Sequence, residues 1–346
     1  MDKKLTIKDI AQLAGVSKGT VDRVLHKRGK VSEDALLKVN AVLSEINYEP
    51  NFMARSLKNN KVYRICVSLP DPLLDSYWLP CVKGIENVVQ KFKAYNLQIN
   101  IFYFDPESTE SFISCNESIL KMAPDAVMLV PLFYKETLNV VEKYNDLGII
   151  VSTFNNQIHS PIIKSFVGQD LFMSGRVAAK LLDLLYKKGS LVIIHIDESY
   201  ENASHMQEKE RGFRAYFNEK ANSDYSIQTL KLHNPTIEKD FKDFLVLNPN
   251  LDGIFVTTSK SYHIAKIASD ENASKIGIIG YDLVAENCAF LNQGAIDFLI
   301  HQNPKRQAYL GGMGLAEFFI FGKEIPNTTL LPIDIINSEN INSYLE

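Results

Sequence analysis

No run of about 18 apolar residues occurs in the chain, so no segment reads as a membrane-spanning helix. The opening MDKKLTIKDI lacks the apolar stretch of a secretory signal, and the expectation is a protein that stays in the cytoplasm. Cysteine is scarce: Cys66, Cys81, Cys115 and Cys288 are scattered without the close pairing of metal sites. They read as small buried hydrophobes in a reducing compartment. The seven histidines are dispersed and none has metal-ligand spacing. Also missing are the phosphate-binding GxxxxGK[ST], the dinucleotide GxGxxG, the esterase GxSxG and the zinc-protease HExxH. Catalysis, a cofactor and a metal are therefore not expected.

What is there is globular. The 346 residues are 46% hydrophobic and 23% charged, enough apolar material for two or three domains. The net charge of −4 hides an asymmetry. Residues 1–60 carry 11 Lys+Arg against 7 Asp+Glu, a net of +4, while the remainder carries 26 against 34, a net of −8. A basic head on an acidic body concentrates attraction to phosphate at one end.

Within that head, Thr6 can cap a helix over Ile7–Ala14, with Asp9 three residues on favouring the same start. Gly15 supplies the backbone freedom of a tight turn. Ser17 caps a second helix, Lys18 to about Leu25, whose Val21, Val24 and Leu25 share one face. A basic loop from His26 to Lys30 follows. Ser32 opens a third helix with Glu33 and Asp34 in its first turn and an apolar stripe of Leu36, Val39, Leu43 and Ile46. Three short helices, the first two joined at Gly15, make a helix-turn-helix or, on spacing alone, a small helical bundle without a DNA role.

The wording of this region resembles a family. The run Thr6-Ile7-Lys8-Asp9-Ile10-Ala11-Gln12-Leu13-Ala14-Gly15-Val16-Ser17, then Thr20-Val21-Asp22-Arg23-Val24-Leu25, is similar to the headpiece of the lactose-repressor (LacI) family. So is Val31-Ser32 through Asn47-Tyr48-Glu49-Pro50-Asn51. In such a motif the second helix lies in the major groove. Lys18, Gly19, Asp22 and Arg23 lie opposite the apolar face, and Lys18 and Arg23 can donate to guanine O6 and N7. Ser17 and Thr20 suit phosphate positioning, Thr6 and His26 are counted with the DNA contacts, and Asp22, four residues after Lys18, suits orienting that lysine. Gly19 and Asp22 depart from the family's usual choices, so the operator should differ from the common family palindrome. The resemblance further implies a hinge helix over Asn51–Lys58 that folds on the operator beside its dimer mate. Asn51 and Arg55 would contact DNA, Ala54 would let two hinges approach, and Leu57 would wedge between base pairs. A plain linker is the alternative.

From Val62 strands and helices alternate in two consecutive series, which argues for parallel sheets covered on both faces and for two similar lobes. The phrases Lys83-Gly84-Ile85-Glu86, Glu210-Arg211-Gly212-Phe213-Arg214, Ile278-Ile279-Gly280-Tyr281-Asp282 and Ile300-His301-Gln302-Asn303-Pro304 resemble the type-I periplasmic sugar-binding proteins, relatives of LacI-family cores. The fold class implied is an α/β core of two doubly wound lobes behind an all-α helix-turn-helix headpiece. The expected boundaries are a headpiece over 1–48, a hinge over 49–61 and a core over 62–346. In that core one lobe takes about 62–168 and 302–328, the other about 169–301 and 329–346.

In that fold a ligand lies between the lobes at the carboxyl ends of the strands. Carried over by resemblance, the effector contacts are Asp75, Tyr77 and Trp78 after the first strand, Asn155 and Asn156, Asp170, Gln207, Thr258, Asp282 and Gln302. Trp78 suits the apolar face of a sugar ring, and Asp282 can accept from two hydroxyls. Asn155, Asn156, Gln207 and Thr258 depart from the charged or amide residues frequent at those places. The expectation is a repressor whose affinity for a near-palindromic double-stranded operator is set by a sugar or sugar acid, working as a homodimer away from membranes. A binding protein without DNA function and an enzyme using the cleft are the rivals.

Overall fold

The computed structural model describes residues 6–25, 29–46, 61–197, 203–220, 224–271 and 276–345. The chain divides into two compact units, residues 1–59 and 60–346.

In the first unit, α1 (Ile7–Leu13) begins at a capping box. The Thr6 backbone N–H and hydroxyl donate to Asp9 Oδ2 at 2.8 and 2.7 Å, and the Asp9 N–H donates back to Thr6 Oγ1. Gly15 turns the chain at φ +65°, where a side chain would be strained. The next helix, α2 (Lys18–Leu25), starts with the Thr20 N–H donating to Ser17 Oγ at 3.1 Å. Ser32 caps α3 (Glu33–Glu45). The three pack around Ile10, Ala11, Ala14, Val21 and Val39. On α3 the inward stripe differs by one residue from the expected one. Leu36 is exposed, and Val42 joins Val39, Leu43 and Ile46 against the core instead. His26 and the expected hinge contacts Asn51, Ala54, Arg55 and Leu57 lie outside the described residues.

The second unit holds two six-stranded sheets. The first contains β1 (Tyr63–Pro70), β2 (Leu97–Phe104), β3 (Ala126–Leu129), β4 (Ile150–Asn155), β5 (Ile163–Gly168) and β11 (Thr328–Leu330), in the order β11-β5-β4-β3-β1-β2. The second contains β6 (Gly189–Ile196), β7 (Tyr225–Leu232), β8 (Leu251–Val256), β9 (Gly277–Tyr281), β10 (Phe298–His301) and β12 (Asp334–Ile336), in the order β12-β10-β9-β8-β6-β7. The two orders are the same pattern repeated. Pairing is parallel except between β10 and β12. Central strands such as β3 are buried throughout, while the edge strands β2 and β7 largely alternate, as sheets covered on both faces require.

Helices connect the strands: α4 (Leu79–Phe92), α5 (Thr109–Lys121) and α6 (Tyr134–Asp146) in the first lobe. The second lobe takes α7 (Leu171–Tyr186), α8 (Ser204–Glu219), α9 (Ile237–Leu247), α10 (Ser261–Asp270) and α11 (Ala285–Asn292). The chain then returns to pack α12 (Pro304–Phe321) on α4 and on β4 and β5. It thus crosses between lobes after Gly168, after His301 and after Leu330. The last crossing falls slightly beyond the expected 328, because β11 extends the first sheet through Leu330. Gln169 ties the three crossings together: its Nε2 donates to His301 O at 2.9 Å and to Pro332 O.

Two helix pairs meet backbone to backbone. A Cβ on Gly212 of α8 would fall 1.9 Å from Phe172 O on α7, and one on Gly84 of α4 would fall 2.3 Å from Lys305 O on α12. Only glycine permits either approach.

Candidate functional site

On α2, Val21 is buried and points into the three-helix core, leaving Lys18, Gly19, Asp22 and Arg23 exposed on the opposite face. Ser17 and Thr20 pair their hydroxyls at 2.9 Å at the helix start. Thr6 is exposed but spends its side chain on the α1 cap. The exposed surface of α2 therefore offers two cations, one acid and a glycine without steric bulk, the side-chain set of a groove-reading helix.

Between the lobes lies a cavity of about 230 Å³. That is somewhat below the roughly 300–1,000 Å³ of drug-sized sites and suits a small molecule. Every wall segment leaves the carboxyl end of a strand, where doubly wound sheets bind ligands. Asp75, Tyr77 and Trp78 follow β1, Asn155 and Asn156 end β4, Thr258 follows β8, Asp282 follows β9 and Gln302 follows β10.

Asp282 is 1% exposed and sits at φ +64°, its N–H donating to Ile300 O. Gln302 holds its carboxylate from two sides, the backbone N–H donating to Oδ1 at 2.8 Å and Nε2 to Oδ2 at 2.6 Å. A carboxylate offers about four lone-pair sites, so two donors leave it acceptor capacity. It does not cap the following helix, whose N-cap is Val284. Across the cleft, Asn155 Nδ2 donates to the Tyr77 hydroxyl. Burial, then the field of Asp282, pushes the Tyr77 phenol well up and keeps it protonated.

The second lobe adds a polar floor. Lys209 is 2% exposed, donates to Thr257 O at 2.9 Å and lies 3.7 Å over the Tyr281 ring. Lys260 pairs with Asp197 at 2.7 Å and reaches within 3.9 Å of Glu107 in the first lobe. His205 Nδ1 lies 3.3 Å from Asn156 Nδ2 of the first lobe. Behind the floor, His195 bridges Thr257 Oγ1 and Glu210 Oε2, both at 2.8 Å.

Eight of the ten residues expected at the effector site line this cavity, and Asp170 and Gln207 do not. Asp170 caps α7, accepting from the Met173 N–H at 2.9 Å. Gln207 is turned away by the pitch of α8, which directs His205 and Lys209, four residues apart, into the cleft instead. Sequence reasoning missed both of these, along with Asp197, Lys260 and Glu107. The four-residue spacing of His205 and Lys209 puts them on one face of α8, but does not say which face meets the cleft. All four cysteines are buried thiols. Among the described residues there is no cluster of possible metal ligands, and no helix is long and apolar enough to cross a membrane.

A helix-turn-helix unit joined to a two-lobed binding fold defines the class of a ligand-controlled DNA-binding regulator. Residues 65–322 match the periplasmic binding protein domain family, and residues 6–51 match the bacterial regulatory proteins of the lacI family. The ribose operon repressor of Lactococcus lactis is 25% identical over 289 residues, covering 80% of each chain. The sucrose operon repressor of Streptococcus mutans is 28% identical over 302 residues, covering 82% of this chain and 83% of that one. A solved structure from Bacteroides fragilis, assigned as a LacI transcriptional regulator, superposes with a TM-score of 0.78 at 31% identity. It covers 82% of this chain and 100% of its own. The chain belongs to the LacI family of bacterial regulatory proteins, with a periplasmic-binding-protein core, and is a DNA-binding transcriptional regulator.

Proposed function

We propose that this protein is a cytoplasmic repressor whose hold on a near-palindromic operator is set by a small sugar or sugar-derived effector bound between the core lobes. The observation that carries the reading is Asp282. Its buried carboxylate is fixed by Gln302 at the carboxyl end of β9, with acceptor capacity facing a cavity of small-molecule size. A ligand rich in hydroxyls supplies the donors such a group takes, and Asp75, Asn155, Asn156 and Thr258 add further polar partners. Nothing in this arrangement asks for a reaction step, and binding without turnover is the function assigned to the cleft.

In this reading two chains act as a homodimer. Each α2 reads one half-site through Lys18, Gly19, Asp22 and Arg23, with Ser17 and Thr20 on phosphates and Thr6 and His26 as further DNA contacts. The Asn51–Lys58 segment, too short to be a stable helix alone, folds on the operator, with Asn51, Ala54 and Arg55 along the minor groove and Leu57 inserted between base pairs. Effector binding changes the angle between the lobes and hence the spacing of the paired hinges, a coupling of about 1–3 kcal/mol in systems of this kind.

The test uses the full chain. Thermal melts with sugars and sugar acids identify stabilising compounds, and a gel shift on operator DNA with and without them measures the coupling. Asp282→Ala should bind operator normally and lose the response. Unchanged effector affinity of that variant by calorimetry removes Asp282 from the site.

A further inference from the structure

His301 closes β10 at the second of the three crossings between the lobes, where its backbone carbonyl accepts from Gln169 Nε2. Its ring nitrogen Nδ1 is buried and has no hydrogen-bond partner among the described residues. Buried polar nitrogens almost always have one, so this one calls for an explanation. A carboxylate oxygen lies just out of reach: Nδ1 is 3.6 Å from Asp282 Oδ1. That oxygen accepts from the Gln302 N–H at 2.8 Å, while Asp282 Oδ2 accepts from Gln302 Nε2 at 2.6 Å. The His301 side chain is 14% exposed and that of Asp282 only 2%, so a proton can reach the imidazole while the carboxylate stays enclosed.

We propose that His301 is a positioning residue for the effector, acting through Asp282. Its imidazolium takes a lone pair of Oδ1 that the neutral ring leaves to the effector, so effector affinity falls as the medium turns acidic. The proposal rests on the cleft being the effector site. His301 does not itself line the cavity and touches no ligand there.

The acceptor count of Asp282 gives the direction. A carboxylate has about four acceptor positions, two on each oxygen. Gln302 fills one on each oxygen and leaves one on each for a pair of hydroxyls. The neutral ring makes no hydrogen bond across 3.6 Å. Charged, it carries a proton on both nitrogens, and a shift of less than about 1 Å brings Nδ1–H into a charge-assisted bond with Oδ1. Oδ1 is then full, and Asp282 keeps one acceptor position for the ligand.

Histidine changes charge between about pH 5 and 8, so affinity is complete at the alkaline end of that range and is lost as the pH falls through it. The neighbouring groups do not supply this change. Asp334 stands opposite His301 in the β10–β12 ladder, and its charge attracts the imidazolium. Tyr344 meets the ring edge to face at 6.1 Å, and phenols titrate far above this range. Near the carboxylate, burial and the field of Asp282 hold the Tyr77 phenol and the Cys81 thiol protonated.

The test is calorimetric titration of the full-length protein from about pH 5.5 to about pH 8, the range in which histidine changes charge. The probes are D-ribose, D-galactose, D-arabinose and sucrose, and the titration uses whichever raises the melting temperature. The native chain should bind that sugar about tenfold more tightly at the alkaline end, the worth of one hydrogen bond to a charged group. Near the middle of the range binding should release protons, seen as a heat that varies with the ionisation enthalpy of the buffer. His301→Phe keeps an aromatic ring but no charge, and should hold the tighter affinity at both ends. His301→Gln, uncharged and of different shape, makes the same test if the phenyl ring does not fit. His205 lies in the cavity wall against Asn156, and His205→Gln should keep the native slope. An affinity of the native chain that does not change with pH overturns the proposal. So does a slope that survives in the His301 variants or vanishes in His205→Gln. If no sugar moves the melting temperature at any pH, the cleft reading itself falls and this proposal with it.

Discussion

Asn156 and His205 join the two lobes across the mouth of the cleft: the amide nitrogen at the end of β4 lies 3.3 Å from His205 Nδ1 on α8. Both are nearly buried, at 2% and 7% exposure, so this contact belongs to the arrangement in which the lobes have approached each other. Each partner removed alone should leave the other with a buried polar group lacking its acceptor or donor. Asn156→Ala and His205→Ala should therefore each weaken effector binding, and the loss in the double variant should be about 0.5–1.5 kcal/mol smaller than the sum of the two single losses. Calorimetric titration of the four proteins with a stabilising sugar measures this. Additive losses would mean that the two side chains contact the effector separately and do not bridge the lobes.

Glu210 sits behind the cavity floor at 8% exposure, and its carboxylate gathers His195, Arg214 and Thr229. Burial alone would raise its pKa, but the hydrogen bonds from these three outweigh burial and hold the carboxyl far below the ordinary range. A folded pKa below the unfolded one means stability that is present above the unfolded value, about 4.3, and is lost as the pH falls towards the folded value. Glu210→Gln should lower stability by about 1.5–3 kcal/mol at pH 7, the worth of charge-assisted hydrogen bonds. The gap to the native chain should narrow below about pH 4. Urea melts of both proteins at neutral and acid pH check the sign. A gap that stays constant with pH would remove the carboxylate charge from the explanation.

Much of this architecture follows from local pattern. Strands such as Leu191–Ile196, apolar but for His195, lie between amphipathic helices, so the alternation and the two-lobe repeat can be read without coordinates. The stretch after Asp282 is harder to read. The helix Pro304–Phe321 has glycines at 311, 312 and 314 and apolar residues on several faces, because it is wedged between α4 and the first sheet. Buried on more than one side, it shows no amphipathic period, and its glycines read as breakers. The short strands Thr328–Leu330 and Asp334–Ile336 exist only through pairing with β5 and β10, distant in the chain. At the cleft, positions at strand ends such as Asp282 could be carried over from the family resemblance, which places them at the carboxyl ends of the strands. The helical face of α8 could not, because choosing Lys209 over Gln207 needs the rotation of the helix about its axis.

Gly212 offers a direct test of how closely α7 and α8 must pack. A methyl group there would fall 1.9 Å from Phe172 O, and backbone cannot move aside as a flexible side chain can. Gly212→Ala should destabilise the core by about 1–3 kcal/mol, the usual cost of overpacking. The loss should appear as a lower thermal midpoint, with the affinity of the remaining folded protein for operator little changed. A midpoint equal to that of the native chain would show that the helices can separate without cost.

The last prediction concerns the DNA-reading face. Arg23 is exposed on the same side of α2 as Lys18, Gly19 and Asp22, in the last turn of the helix. Its guanidinium has the planar fork that matches guanine O6 and N7. Its place near the carboxyl end of the helix equally suits a phosphate grip, where a cation gains from the dipole but carries no sequence information. The two roles separate on a panel of symmetric operators. As a base reader, Arg23→Ala should cost about 1–3 kcal/mol on the preferred operator and relax the preference at one symmetric pair of positions. As a phosphate contact, it should weaken every sequence alike and reduce the salt slope of binding by about one. Gly19, beside it, leaves the first turn of the helix without a second long side chain, so specificity should fall heavily on Lys18 and Arg23. Lys18→Ala measured on the same panel should then relax a different pair of positions. Uniform losses for both variants at fixed salt would assign these cations to the backbone and move base recognition away from this face of α2.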